Sequence, residues 1–245
     1  NYLSNWDDGE PNFYAAYGLY DYNDIWGYTD NNGNEYALIG AWNGTYIIDI
    51  NSSIPFEVAF IPGSPSTHKD IKTYGDYMYI GTEANLPDPD LFDDNIEYIQ
   101  PQGVQVVDIS DPTNPVLVNE WDGVVQSHNI MEADGYLYVV GSFAPYSNDG
   151  AQESWGLDDL IILDLADPST PVKIGGWSEE YFHDVCVYGD VLYGCGIESH
   201  KMWAMDISDK SNPQVITSWD GIPSAHACWV SNDGNTLFTA SETTG

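Results

Sequence analysis

The sequence predicts an all-β protein, a β-propeller of four-stranded blades, and three observations carry that reading. The chain repeats itself: Ile25, Ile71, Ile130, Val185 and Cys228 stand in equivalent places at successive spacings of 46, 59, 55 and 43 residues, a period that suits blades packed face to face on their neighbours. Within each repeat, short segments of five to seven apolar-rich residues alternate with Gly, Asp, Asn, Ser and Pro, which punctuate strands. No segment keeps a 3.6-residue hydrophobic period for ten residues, so a helical repeat is excluded.

Taken in order, LSNWDDG (3 to 9) matches the later endings VNEWDG and ITSWDG, so residues 1–9 read as a ring-closing outer strand. Its sheet is expected to lie outside residues 1–245, either in chain beyond Gly245 or in another chain or copy. The first blade reads NDIWGY, YALIG and GTYIIDINSSIPFEVAFI (44 to 61); the second KDIKTYG, YMYIGTE and GVQVVDISDPTNPVLVNEW (103 to 121). HNIMEADG, YLYVVGS and DLIILDLADPSTPVKIGGW (159 to 177) give the third, and HDVCVYG, VLYGCGIE and KMWAMDISDKSNPQVITSW (201 to 219) the fourth. HACWVSNDG and TLFTASE supply half of a fifth. The whole chain, 1–245, therefore reads as one propeller domain with four complete blades and half of another, out of a full ring of about seven. Insertions at 84–102 and 143–158 separate second from third strands and are placed on the channel face. Asp49, Asp108, Asp164 and Asp206 end every third strand, where Asp accepts backbone N–H bonds in the following turn. Trp6, Trp121, Trp177 and Trp219 recur as regularly and read as packing between blades.

VVDISDPTNPVLV, ILDLADPSTPVKI and AMDISDKSNPQVI resemble the LVIVD repeat. YNDIWGY followed by EYALIGAWNGTYIIDI, then HKDIKTYGDYMYIGTE, SHNI, FHDV and AHACWV, resembles the secreted bacterial propellers of the choice-of-anchor B family. The resemblance covers nearly the whole chain and implies an extracellular or surface-anchored β-propeller with more blades following. It implies little about activity, because that family is defined largely by its domain and anchor.

Composition narrows the partners. With 42% hydrophobic and 14% aromatic residues the chain can bury a core, although 39 Asp and Glu against five lysines leave a net charge of −34. The cations are Lys69, Lys72, Lys173, Lys201 and Lys210, without any arginine, so nucleic acid and anionic lipid are repelled. No run of about 18 apolar residues is available for membrane insertion. The charge favours divalent cations, including Ca²⁺, or neutral and basic molecules; an acidic solvation layer explains it equally. Asn1 without a preceding Met fits a mature secreted product, so the expected location is extracellular or at the cell surface. Cys186 and Cys195 fall where they could share one face of a hairpin and pair, leaving Cys228 over; buried free thiols are the other reading.

Chemistry is expected where first strands begin and second strands end, which in a propeller opens on one channel mouth. His128, His183 and His226 occupy one repeat column, with His68 one residue from it. Together with Asp70, Asp184, Glu83, Glu198 and Glu242 they form a candidate site for Zn²⁺ or another transition metal, neutral imidazole being a common ligand. Asp24, Asn129 and His200 join them as candidate ligand-binding residues. The alternative is that each His or Asp caps its own strand. Asp88, Asp90, Asp93, Asp94 and Glu97 crowd the segment 86 to 98 with oxygen ligands suited to Ca²⁺, without EF-hand order. There is no GxSxG motif and no Gly-rich phosphate loop, and no organic cofactor is expected. The leading expectation is a non-enzymatic binding or structural module stabilised by divalent cations, with a surface assembly or another chain able to complete the ring. The alternative is a metal-dependent enzyme of extracellular polymers, such as a polysaccharide lyase, using the histidines.

Overall fold

A computed structural model describes residues 5–7, 22–84, 103–142 and 159–243. Described residues form strands and turns, with no helix among them. Two compact units divide the chain, Asn1–Gln126 and Ser127–Gly245.

Unit 1 holds two antiparallel four-stranded meanders. The first is β1 (Tyr22–Thr29), β2 (Glu35–Ala41), β3 (Gly44–Asp49) and β4 (Phe56–Pro62). The second is β5 (Lys69–Tyr74), β6 (Tyr77–Thr82), β7 (Val104–Asp108) and β8 (Val116–Trp121). Leu38, Ile47, Ile71, Met78 and Ile80 from both sheets form one buried cluster, with Trp26 packed against it. Polar bonds join the same two sheets: Trp26 Nε1 donates to Thr73 Oγ1 at 3.2 Å, and Tyr28 Oη to Asp76 Oδ1 at 3.0 Å.

Unit 2 holds two more such sheets and a hairpin. They are β9 (Asn129–Ala133), β10 (Tyr136–Val140), β11 (Leu160–Asp164) and β12 (Val172–Trp177), then β13 (Asp184–Tyr188), β14 (Val191–Gly196), β15 (Lys201–Asp206) and β16 (Gln214–Asp220). The hairpin is β17 (Ala225–Val230) with β18 (Leu237–Ser241). Trp177 stacks on Phe182 at 5.3 Å and lies 5.5 Å from Trp203, packing one blade on the next. Trp219 and Ile222 lie against the cluster of Cys186, Cys195, Met202, Ala225 and Cys228.

The order of strands is the expected one, because each turn is locally encoded. Asp49, Asp108, Asp164 and Asp206 each accept the N–H two residues on, from Asn51, Ser110, Ala166 and Ser208, at 2.7 to 2.9 Å. That side-chain turn reverses the chain without a backbone partner. In three blades a second Asp (Asp111, Asp167, Asp209) repeats the device on Thr113, Ser169 and Ser211.

A feature the repeats did not announce is a bulge in every outer strand. Pairing slips between Ile47 and Ile48, Val106 and Val107, Ile162 and Leu163, and Ala204 and Met205. Val58, Val118, Ile174 and Ile216 are the extra residues opposite those slips. An extra residue bends and twists its strand, and here it recurs at the same place in all four complete sheets.

Of the closing strand expected at 1–9, residues 5–7 are described, and they form no strand. Trp6 instead lies 4.9 Å from Tyr46 and 5.9 Å from Tyr22, on the first sheet.

Candidate functional site

The first strand of every sheet carries one residue two places before the repeat reference: Asn23, Lys69, His128, His183 and His226. In unit 1 this column is tied inward. Asn23 Nδ2 donates to the Lys69 carbonyl at 2.9 Å, joining one blade's column to the next. Lys69 is 4% exposed, and its Nζ donates to the carbonyls of Ser64 at 2.9 Å and Trp42 at 3.2 Å. Burial pushes this ammonium down to about 8.

Neighbouring candidates in unit 1 are used in the same structural way. Asp24, expected to meet a ligand, accepts the Ile71 N–H at 2.8 Å across the two sheets. Asp70, expected as a metal ligand, is buried in an ion pair with Lys72, whose Nζ also lies 4.6 Å from the Trp26 ring. An ammonium already neutralises that carboxylate, so it is poorly placed to offer its charge to a metal ion. His68 is exposed, and its Nδ1 lies 3.0 Å from Glu83 Oε2. The hydrogen bond to Glu83 holds that imidazole above its ordinary value against the opposing effect of its partial desolvation.

In unit 2 the column consists of three imidazoles, and the fold brings them together. Ring centroids of His128 and His183 are 3.8 Å apart, and those of His183 and His226 are 4.5 Å apart. His183 Nδ1 lies 3.0 Å from the His226 carbonyl. A carbonyl only accepts, so Nδ1 carries the proton and Nε2 keeps its lone pair. This bond matches the one from Asn23 to Lys69: a column side chain donating to the column carbonyl of the next blade. Burial, then the neighbouring His128, pulls His183 down to about 4, so its ring is neutral at pH 7.

The surroundings of the stack are unusual. Ser127 Oγ and Ser142 Oγ are buried without a hydrogen-bond partner, and Ser127 directly precedes His128. Gly141 adopts φ of +61°, and a Cβ there would sit 2.4 Å from His128 Cβ, so the chain closes over His128 only with glycine. Both Val140 and Gly141 carbonyls accept the His128 N–H, each at 3.1 Å.

Other candidates in unit 2 lie apart from the stack or are committed elsewhere. His200 Nδ1 accepts the Ser224 N–H at 2.9 Å; both residues have positive φ, 59° and 47°, so this imidazole pins a turn rather than offering that nitrogen to a ligand. Asn129 and Asp184 open β9 and β13. Glu198 is exposed after β14. Glu242 is exposed after β18 and acts on His183 as a weak stabilising charge. Among the described residues no group of three or more His, Cys, Asp and Glu is arranged to hold a metal ion. Asp88, Asp90, Asp93, Asp94 and Glu97 lie outside the described residues, as does the insertion 143–158.

The LVIVD repeat model matches residues 67–86, 98–122 and 181–220. At those three segments the chain matches the LVIVD repeat. These repeats coincide with the second and fourth blades, and the same strand order in the first and third extends the architecture. No curated protein matches the chain in sequence. Solved structures with a similar fold include the computationally designed protein Ika8, at 12% identity and a TM-score of 0.56, over 90% of this chain and 55% of that one. A protein of unknown function from Desulfotomaculum acetoxidans matches at 14% identity and 0.54, over 91% and 63%. Hydrazine synthase of Kuenenia stuttgartiensis matches at 12% and 0.55, over 87% and 67%. The chain thus spans 55% and 63% of the length of the first two. At these identities the likeness speaks for the fold, a β-propeller of four-stranded blades.

Sequence reasoning found the histidine column but did not assign Asn23 and Lys69 to it, and overlooked Ser127 and Ser142. Repeat register alone signals Lys69, since it aligns with His128 when Ile71 is set against Ile130. Nothing in the sequence marks a serine hydroxyl as lacking a partner.

Proposed function

We propose that the protein is a non-catalytic binding and scaffolding module, secreted or held at the cell surface, whose contact site is the imidazole stack of unit 2. One observation carries this reading: His183 is held by its Nδ1–H on the His226 carbonyl, which leaves a neutral Nε2 as acceptor. Metal-binding imidazoles commonly have their other nitrogen fixed on a carbonyl in this way. The unpartnered hydroxyls of Ser127 and Ser142 add polar groups that gain from a ligand or its water, because a buried hydroxyl without a partner is costly. The ligand chemistry that fits is a hydrogen-bond donor or a divalent transition-metal ion held by imidazole and water. The net charge of −34 raises the local concentration of such cations.

Zinc titration of protein first freed of metal by chelator tests the site, read by ¹⁵N imidazole NMR and calorimetry. His183→Asn keeps a donor toward the His226 carbonyl, as Asn23 does in unit 1, but removes Nε2. The parent is expected to bind at least tenfold more tightly than this variant, with His183 Nε2 shifting first. Equal affinity in the two proteins overturns the stack as the contact site. Calcium at segment 86–98 is a separate part of the proposal: chelation is expected to lower Tm more at low salt than at high salt. An unchanged Tm in dilute buffer removes calcium from the account.

A further inference from the structure

The three thiols of unit 2 are all buried and free, and two of them meet across blades. Cys186 on β13 and Cys228 on β17 place their sulfurs 3.0 Å apart. We propose that this pair forms a disulfide that staples the first strand of one blade to the first strand of the next. The sulfurs are about 1 Å from the S–S bond length of about 2.05 Å, so small rotations of two side chains complete the bond. Both residues sit among Met202, Ala225 and Val230, in the apolar layer that the two sheets share.

Cys195 is a second neighbour of Cys228, but the 3.0 Å approach is that of Cys186; the pair within one hairpin is disfavoured by register. Cys186 pairs with Tyr193 on β14, and Cys195 pairs with Asp184. Cys186 and Cys195 are therefore diagonal neighbours on one face of a hairpin, a relation that sets Cα atoms roughly 7–8 Å apart. Disulfides usually span about 4.4–6.8 Å. Cys228 approaches from the facing sheet and escapes that limit.

The bond needs a two-electron acceptor, and an external disulfide serves: oxidised glutathione in the tube, or a dithiol oxidant carrying a disulfide. One cysteine thiolate attacks the donor disulfide, forming a mixed disulfide and releasing one donor thiolate. The second attacks the protein sulfur of that mixed bond, closing Cys186–Cys228 and releasing the second donor thiolate. Two thiol protons leave, two electrons pass to the donor, and the donor ends as two thiols. In the closed fold, contact with Cys228 and burial hold the Cys186 thiol well above the ordinary range, where thiolate is scarce. Both thiols are also buried in the closed fold, out of reach of a donor disulfide, so the staple forms while the β17–β18 hairpin is open and is then sealed in.

The test is refolding of the full chain with a mixture of oxidised and reduced glutathione, against refolding in excess reductant. Expected in the oxidised sample are one free thiol in place of three, a mass lower by about 2 Da, and a peptide joining Cys186 to Cys228. Its Tm should exceed that of the reduced sample by roughly 10 °C, from the entropy of closing a loop of this length. Cys195→Ala should keep the mass loss, the joined peptide and the Tm gain, its free thiols falling from two to none, and Cys186→Ala and Cys228→Ala should lose them. Should a variant fail to refold, diamide oxidation of the parent, purified folded and reduced and held in sub-denaturing urea, reads the same bridge by peptide mapping. Three free thiols after either treatment, or a bridge through Cys195, overturns the proposal.

Discussion

The two units solve one problem with different chemistry. Each must join the start of one first strand to the start of the next. In unit 1 an amide does so, Asn23 to the Lys69 carbonyl at 2.9 Å, and the following column residue is a lysine buried onto two carbonyls. In unit 2 an imidazole does so, His183 to the His226 carbonyl at 3.0 Å, with a third imidazole stacked on it. The bond is shared, but what remains after it is made differs. The amide at Asn23 keeps only its carbonyl Oδ1, a hard oxygen acceptor, whereas an imidazole that has donated once still owns a nitrogen lone pair, the donor that transition metals prefer. The same column can therefore be structural in one half of the chain and available for chemistry in the other.

The largest effect should come from breaking the buried ion pair of unit 1. Lys72→Met puts in unit 1 the residue found at the equivalent place in the third blade, Met131, and strands the Asp70 carboxylate. A loss of about 3–5 kcal/mol in urea unfolding is expected. Adding Asp70→Asn should recover part of it, and a double variant no more stable than the single would show that the pair is not the cause. Next comes the stitch itself. His183→Ala leaves the His226 carbonyl without its donor and should cost about 1–3 kcal/mol, while His183→Asn should stay within about 0.5 kcal/mol of the parent. Equal losses in both variants would break the equivalence between Asn23 and His183.

Titration sharpens the contrast further. Lys69 sits at about 8 in the fold against an ordinary 10.5, so between those values the unfolded chain binds more protons and stability rises with pH. Relative to Lys69→Met, the parent should gain about 1–2 kcal/mol from pH 8 to about 9.5. His183 sits at about 4 against 6.5, and by the same sign the metal-free parent should lose stability as pH falls from 6.5 to 4. Solvent screening at this partly exposed ring reduces the loss to about 1 kcal/mol relative to His183→Asn. A slope of opposite sign in either window would mean that the buried form is the charged one. The smallest effect should be the one both units share: Asp108→Ala and Asp206→Ala each remove a turn bond and should cost about 0.5–1.5 kcal/mol alike.

Strands, turns and their order were legible because each signal is local: an Asp that bonds the N–H two residues on needs nothing beyond its own turn. The histidine column was legible because repeat register projects distant residues onto one position. The stitches were not, since their acceptors are backbone carbonyls, which every residue carries. Nor was the Cys186–Cys228 approach, because the two cysteines stand one place apart in repeat register and only the facing of adjacent sheets brings them together. The commitment of Asp70 to Lys72 was hidden similarly: Asp70 read as a metal ligand and Lys72 only as one of five cations, and both are buried.

The outer-strand bulges bear on how this chain behaves in crowded solution. Val116, Leu117 and Val118 are 42 to 50% exposed, and Val215 and Ile216 are 43 and 55% exposed, an apolar composition that invites fibre growth when a sheet edge is regular. At Val118 and Ile216 the extra residue throws the hydrogen-bonding groups on either side out of phase. A foreign strand that docks in register with one half of the edge meets the other half misaligned, so lateral addition stalls after a few bonds. Deleting Val118 would restore an unbroken ladder, and with it a nucleation site for aggregation on the surface of the second blade.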